Sequence, residues 1–70
     1  MSILSLMVNG VAFQENSNSL VQLLAVHGID PTQRFMAISI NELVVPRADW
    51  SHRHLMPGDR IEIVQPMKGG

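Results

Sequence analysis

The residues with the clearest chemical potential are the last two, Gly69 and Gly70. They follow a strand-like run, Arg60-Ile61-Glu62-Ile63-Val64, after a short spacer. A packed strand with a glycine-ended tail presents a backbone carboxylate to solvent. Glycine has no Cβ, so such a tail can thread a narrow cleft and adopt dihedrals closed to other residues. That suits a carboxylate that is itself the reacting group. The same dipeptide also fits a frayed chain end, which most domains have. The rest of the chain has to decide between the two.

Other reactive residue types are sparse. The chain has no cysteine, which excludes disulfides, thiolate metal sites, iron–sulfur clusters and cysteine catalysis. His52 and His54 form an H-x-H, the spacing that shares one face of a strand. They fall in a loop-like stretch without a third histidine or carboxylate partner nearby, so no metal site is expected. No glycine-rich phosphate loop with a following lysine is present. Trp50 reads either as a lid on the core or as an anchor for a partner. Lys68 reads as a solvated charge or as a contact for phosphate in a partner's site.

Seventy residues make one domain with a thin stability margin. Five Lys/Arg against six Asp/Glu give a net charge of −1. The cations are scattered, and nothing points to nucleic acid. The apolar start, Met1 to Val8, lacks a basic n-region and is too short to span a membrane. The default is a cytoplasmic protein.

The elements that would position the tail follow from local chemistry. Residues 3–8 read as a strand, Asn9-Gly10 as a type I′ hairpin turn, and 11–14 as the returning strand. The loop length pairs Val8 with Val11 and Leu6 with Phe13. Those pairs and Leu4 form the expected buried face, with Ser5 and Met7 on the other side. Glu15 to Asn18 is a polar loop. Ser19 with Gln22 makes a capping box for a helix whose stripe is Leu20, Leu23, Leu24 and His27. Near the helix end, His27 is placed to interact with the dipole. Gly28 ends the helix, and Ile29 packs back on Leu24. A third strand spans 35–40, Asn41-Glu42 is a tight turn, and Leu43-Val44-Val45 is a short fourth strand stopped by Pro46. Residues 48–54 form a helical turn or irregular loop. Pro57-Gly58 fits a type II turn. In the last strand, 60–65, Ile61 and Ile63 point inward while Arg60, Glu62 and Val64 point outward.

The order is β-β-α-β-β-β. A single helix covers one sheet face, which leaves Met7 and Val64 on the uncovered face as candidates for docking. Met67 is a further candidate, and the other methionines read as core filler.

These segments, taken in order, resemble ThiS, the sulfur carrier of thiamin thiazole biosynthesis. The resemblance rests on Val8-Asn9-Gly10, Leu20…Leu23-Leu24…Gly28-Ile29, Ala37-Ile38-Ser39-Ile40-Asn41-Glu42, Val44-Val45-Pro46-Arg47, Asp49-Trp50, Leu55…Gly58-Asp59-Arg60-Ile61-Glu62-Ile63 and Gly69-Gly70. It covers essentially the whole chain. Two departures stand out: a short extension before the first strand, and Lys68 ahead of the diglycine. The resemblance implies an α+β fold, the ubiquitin-like β-grasp. This is a mixed sheet with one helix on one face and a flexible C-terminal Gly-Gly tail. It divides the chain into a domain over 1–65 and a tail over 66–70, and it pairs the first and last strands in parallel.

The resemblance also implies a chemistry. A ThiF-like adenylyltransferase using MgATP adenylates Gly70. Sulfur from a sulfurtransferase or cysteine desulfurase relay then makes a thiocarboxylate, which a ThiG-like thiazole synthase consumes. The chain is a co-substrate with no cofactor of its own. Gly69 gives the tail its slim approach, and residues 66–70, if extended, reach roughly 16 Å. Pro66 stiffens the root of that tail or stops the last strand. Met7, Val64, Met67 and Lys68 are the docking candidates. With no cysteine, nothing on the body of the protein competes for the sulfur. Three other readings stay open: a MoaD-like small subunit of molybdopterin synthase, a ubiquitin-like protein modifier, and a β-grasp binding module with an inert tail. The Val44-Val45-Pro46-Arg47…Trp50 stretch favours ThiS over the first.

Overall fold

In the computed structural model, which describes residues 3–66, Asn9 and Gly10 take φ of 50° and 80°. These are the two positive values a type I′ turn needs. The turn joins β1 (Leu4–Val8) to β2 (Val11–Glu15). Their register pairs Val8 with Val11 and Leu6 with Phe13, as the loop length predicts. Leu4, Leu6 and Val8 are buried. Val11 is not: it is 67% exposed, because β2 is an edge strand and Val11 sits at the hairpin tip. The polar loop also starts one residue later than expected. Glu15 belongs to β2 and is buried, and its Oε1 accepts from the Asn16 amide at 2.8 Å.

The helix α1 (Leu20–Val26) starts at Ser19, whose Oγ accepts from the Gln22 amide. The reciprocal half of the capping box is replaced: the Ser19 amide donates to Ser17 Oγ at 3.2 Å. Gly28 has φ of 69°. Its amide donates to Ala25 O, and the Ile29 amide donates to Leu24 O at 2.9 Å. Those two bonds are a Schellman ending. Leu20, Leu23 and Leu24 are fully buried, each stabilising the fold by about 1.5–3 kcal/mol. His27 ends the stripe in solvent. Its Nδ1–H donates to Leu23 O at 3.0 Å, and its ring tilts against Phe13.

The third strand is shorter than the apolar run suggests. β3 covers Ala37–Ile40, and Phe35 lies before it, 81% exposed. The Arg47 guanidinium donates to the carbonyls of Pro31 and Gln33, which holds this stretch in a turn rather than in the sheet. Asn41 and Glu42, both with positive φ, connect to β4 (Leu43–Val44). Val45 lies outside β4, buried, its amide donating to Ile38 O at 2.8 Å. A 3-10 helix, Arg47–His52, follows. Trp50 within it is buried, and its Nε1–H donates to Val45 O at 2.9 Å. It is a lid on the core, with the Arg47 guanidinium 4.3 Å from the ring centre. At the Pro57-Gly58 turn, Gly58 has φ of 86° and the Asp59 amide donates to Met56 O. Met56 is exposed there rather than filling the core, whereas Met36 is buried.

β5 (Arg60–Val64) closes the structure. The sheet order is β2-β1-β5-β3-β4. β5 runs parallel to β1 and antiparallel to β3, so the first and last strands lie side by side. The core gathers Leu4, Leu6, Val8, the helix leucines, Ile38, Ile40, Ile61 and Ile63 between sheet and helix.

Candidate functional site

Strand alternation determines what the uncovered sheet face displays. Leu4, Leu6, Val8, Ile61 and Ile63 turn toward the helix, so Ser5, Met7, Arg60, Glu62 and Val64 turn away from it. Met7 is 37% exposed and Val64 62%. The two share a face but do not adjoin. Met7 pairs with Arg60, while Val64 pairs with Ala37 four residues further along β5, a span of about 13 Å. Glu62 and Arg60 lie between them. The face is therefore mixed, with apolar positions separated by charges.

The register adds a residue that the sequence reading did not single out. Val44 pairs with Ser39, and Ser39 pairs with Glu62, so Val44 shares the face of Glu62 and is 76% exposed. The two-residue turn at Asn41-Glu42 fixes that register, so alternation from the turn could have found it. A shallow depression on this side is lined by Met7, Gly10, Glu42, Arg60 and Glu62. The Arg60 guanidinium stands 3.7 Å from the Glu42 carboxylate, both exposed, an ion pair worth little in water.

β5 is held at both ends. At its start, Asp59 is buried: Oδ1 accepts from Asn41 Nδ2 at 2.9 Å and Oδ2 from the Met56 amide at 2.8 Å. The Asn41 Oδ1 in turn accepts from the Arg60 amide. At its far end, the Ile63 amide donates to Asn9 Oδ1 at 2.7 Å. Beyond the strand, Gln33 Nε2 donates to Gln65 Oε1 at 3.0 Å. The strand that leads to the tail is thus fixed by side chains as well as by the ladder. Met67, Lys68, Gly69 and Gly70 lie outside the described residues.

The histidines do not converge. His52 Nε2 is 3.7 Å from Asp49 Oδ1 within the 3-10 helix, both exposed, while His54 bridges to Ser19. Among the described residues, no three His, Cys, Asp or Glu side chains gather as a metal site needs. Also among the described residues, no helix is long and apolar enough to cross a membrane.

A five-stranded mixed sheet, parallel at β1–β5 and covered on one face by a single helix, defines a β-grasp protein of the ubiquitin-like class. The model of the ThiS family matches residues 7–70, and the chain belongs to that family of ubiquitin-like sulfur carriers in thiamin biosynthesis, which are carriers and not enzymes. The crystal structure of thiamine biosynthesis protein ThiS from Geobacter metallireducens is similar in fold, with a TM-score of 0.75. It is 23% identical, and the alignment covers 96% of this chain and 100% of that one. No curated protein matches the chain.

Proposed function

We propose that Gly70 is the residue on which this chain carries sulfur, and that the chain acts as a co-substrate in the cytoplasm. A carboxylate is a poor electrophile, because it is anionic and lacks a good leaving group. A ThiF-like adenylyltransferase corrects this with MgATP: the Gly70 carboxylate attacks the α-phosphorus, releasing pyrophosphate and forming an acyl-adenylate. A persulfide from a sulfurtransferase or desulfurase relay attacks the acyl carbon and releases AMP, leaving an acyl disulfide. A thiol of the relay then cleaves the S–S bond. It takes the carrier sulfur into a new disulfide and leaves the other sulfur on Gly70 as a thiocarboxylate. A ThiG-like thiazole synthase receives that sulfur in exchange for an oxygen from its carbonyl substrate or from water, and the Gly70 carboxylate returns.

The observation that carries this reading is the family match over residues 7–70, which takes in Gly69 and Gly70. The body supplies no competing thiol, since there is no cysteine. Gly69 offers no side chain to a narrow cleft. The uncovered face, with Met7, Val44 and Val64, is the surface we assign to partners, together with Met67 and Lys68 next to the diglycine. ATP and magnesium belong to the activating partner.

The test is intact-mass analysis after incubation with a ThiF-like enzyme, MgATP and a sulfur source. Exchange of one oxygen for one sulfur at Gly70, abolished when Gly70 is deleted, supports the reading. A covalent ladder on other proteins favours a modifier instead. Persistent one-to-one copurification with a large molybdopterin-type subunit favours the MoaD-like alternative.

A further inference from the structure

Asn9 is already committed to the hairpin turn, yet its side chain does a second job. The parallel ladder between β1 and β5 advances two residues at a time. The Met7 amide donates to Asp59 O at 3.0 Å, and the Asn9 amide donates to Ile61 O at 2.9 Å. The next donor on β5 is the Ile63 amide, and a regular ladder would send it to the backbone carbonyl of Asn9. The chain turns away there, with φ of 50° at Asn9. The side-chain Oδ1 of Asn9 takes the carbonyl's place, at 2.7 Å. The ladder is thereby extended one bond beyond the end of β1.

Among the described residues, that bond is the last hold on the β1 side of β5. On the other side, β3 pairs with β5 as far as Val64. Between Val64 and the diglycine come four residues, Gln65, Pro66, Met67 and Lys68. The direction in which the chain leaves the sheet is set by where Ile63 and Val64 are fixed. The Gln33–Gln65 contact lies beyond this point and is exposed, so it holds less.

We propose that Asn9 is a positioning residue for the Gly70 end: its Oδ1, by capping the Ile63 amide, fixes the exit of β5, the point from which the chain is offered to the activating enzyme. This rests on the carrier reading above. The role assigned to Asn9 is positioning and not catalysis. Its effect falls on the alignment of the carboxylate, where a small misplacement is costly, and not on the docking face.

Two variants separate the turn from the cap. Asn9→Gly keeps the positive φ, since Gly-Gly suits a type I′ turn, but removes the acceptor. Asn9→Asp keeps both the acceptor and the tolerance for left-handed backbone. Amide exchange at Ile63 is read by NMR on the isolated protein. Adenylation kinetics are read with a ThiF-like enzyme and MgATP, at a temperature where every variant is folded. In Asn9→Gly, exchange at Ile63 should quicken about tenfold or more, for a lost bond of about 1.4 kcal/mol. Its kcat should fall by about tenfold with KM unchanged, and Asn9→Asp should restore both. Unaltered exchange in Asn9→Gly overturns the proposal, as does faster exchange with unaltered kcat. A loss confined to KM also overturns it, since that places the effect in docking. A wild-type chain that is never adenylated defeats the carrier reading and this proposal with it. A normal wild type with a normal Asn9→Gly variant defeats this proposal alone.

Discussion

The side-chain amide of Asn41 donates to the buried carboxylate of Asp59 at 2.9 Å, across the head of β5. The same Asn41 accepts from the Arg60 amide, and its own amide donates to Arg60 O at 2.8 Å. One turn residue therefore registers β5 and satisfies a buried charge. Asn41→Gly keeps the positive φ and loses both side-chain bonds. It should cost about 1–3 kcal/mol, because Asp59 is left short of a donor. Urea denaturation measures this, and an unchanged midpoint would refute the role.

Asp30 gives a pH prediction. The Thr32 hydroxyl and then the Thr32 amide donate to its Oδ1 at 2.7 and 2.9 Å, and together they hold its carboxyl below the ordinary value of 3.8. A carboxyl that is more acidic folded than unfolded adds stability above its unfolded pKa. That contribution is lost as pH falls through the folded value. Thr32→Val should raise the Asp30 pKa in an NMR titration and flatten the acid limb of stability near that pH.

Trp50→Phe keeps most of the buried ring and removes the donor to Val45 O. The expected loss is about 1–3 kcal/mol. Trp50 is the sole tryptophan, so native emission should be blue-shifted and move to the red on unfolding. Red emission from the native state would contradict a lid on the core.

At Gly28 the cost of a side chain should come from the backbone alone. A Cβ there meets nothing within 4 Å, but φ is +69°. Gly28→Ala should destabilise by about 1–2 kcal/mol, and Gly28→Asn by less, since Asn tolerates this conformation. Equal losses in thermal unfolding would point to a steric cause.

For the docking face, Val64→Glu and Met7→Glu should leave stability within about 0.5 kcal/mol. They should raise KM for the activating enzyme by roughly tenfold. Val26→Glu, on the exposed side of α1, should leave KM unchanged. A matching rise in Val26→Glu would dissolve the distinction between the faces.

Much of the fold is legible because it is written in short-range chemistry. The Asn9-Gly10 turn, the Ser19 cap, the Gly28-Ile29 ending and the Pro57-Gly58 turn each need only neighbouring residues. What sequence does not disclose is set at long range. Phe35 looks like strand until Arg47 is seen to clamp the carbonyls of Pro31 and Gln33. Val11 alternates correctly but sits at the tip of an edge strand, so it stays in solvent. The parallel pairing of β1 and β5 leaves no periodic mark, and only the family resemblance implies it. For the site, alternation exposes Met7 and Val64, yet the two-strand register that separates them, and the second use of Asn9, exist only in three dimensions.

Because Arg60–Val64 occupies the seat between β1 and β3, a half-made chain on the ribosome lacks the middle of its own sheet. The hairpin and helix can form early, but they cannot lock until β5 has emerged, and pairings so distant in sequence form slowly. Synthesis of β5 and completion of the body are thereby coupled in time: a chain that stops before Arg60–Val64 lacks the centre of its sheet, and proteases should clear it.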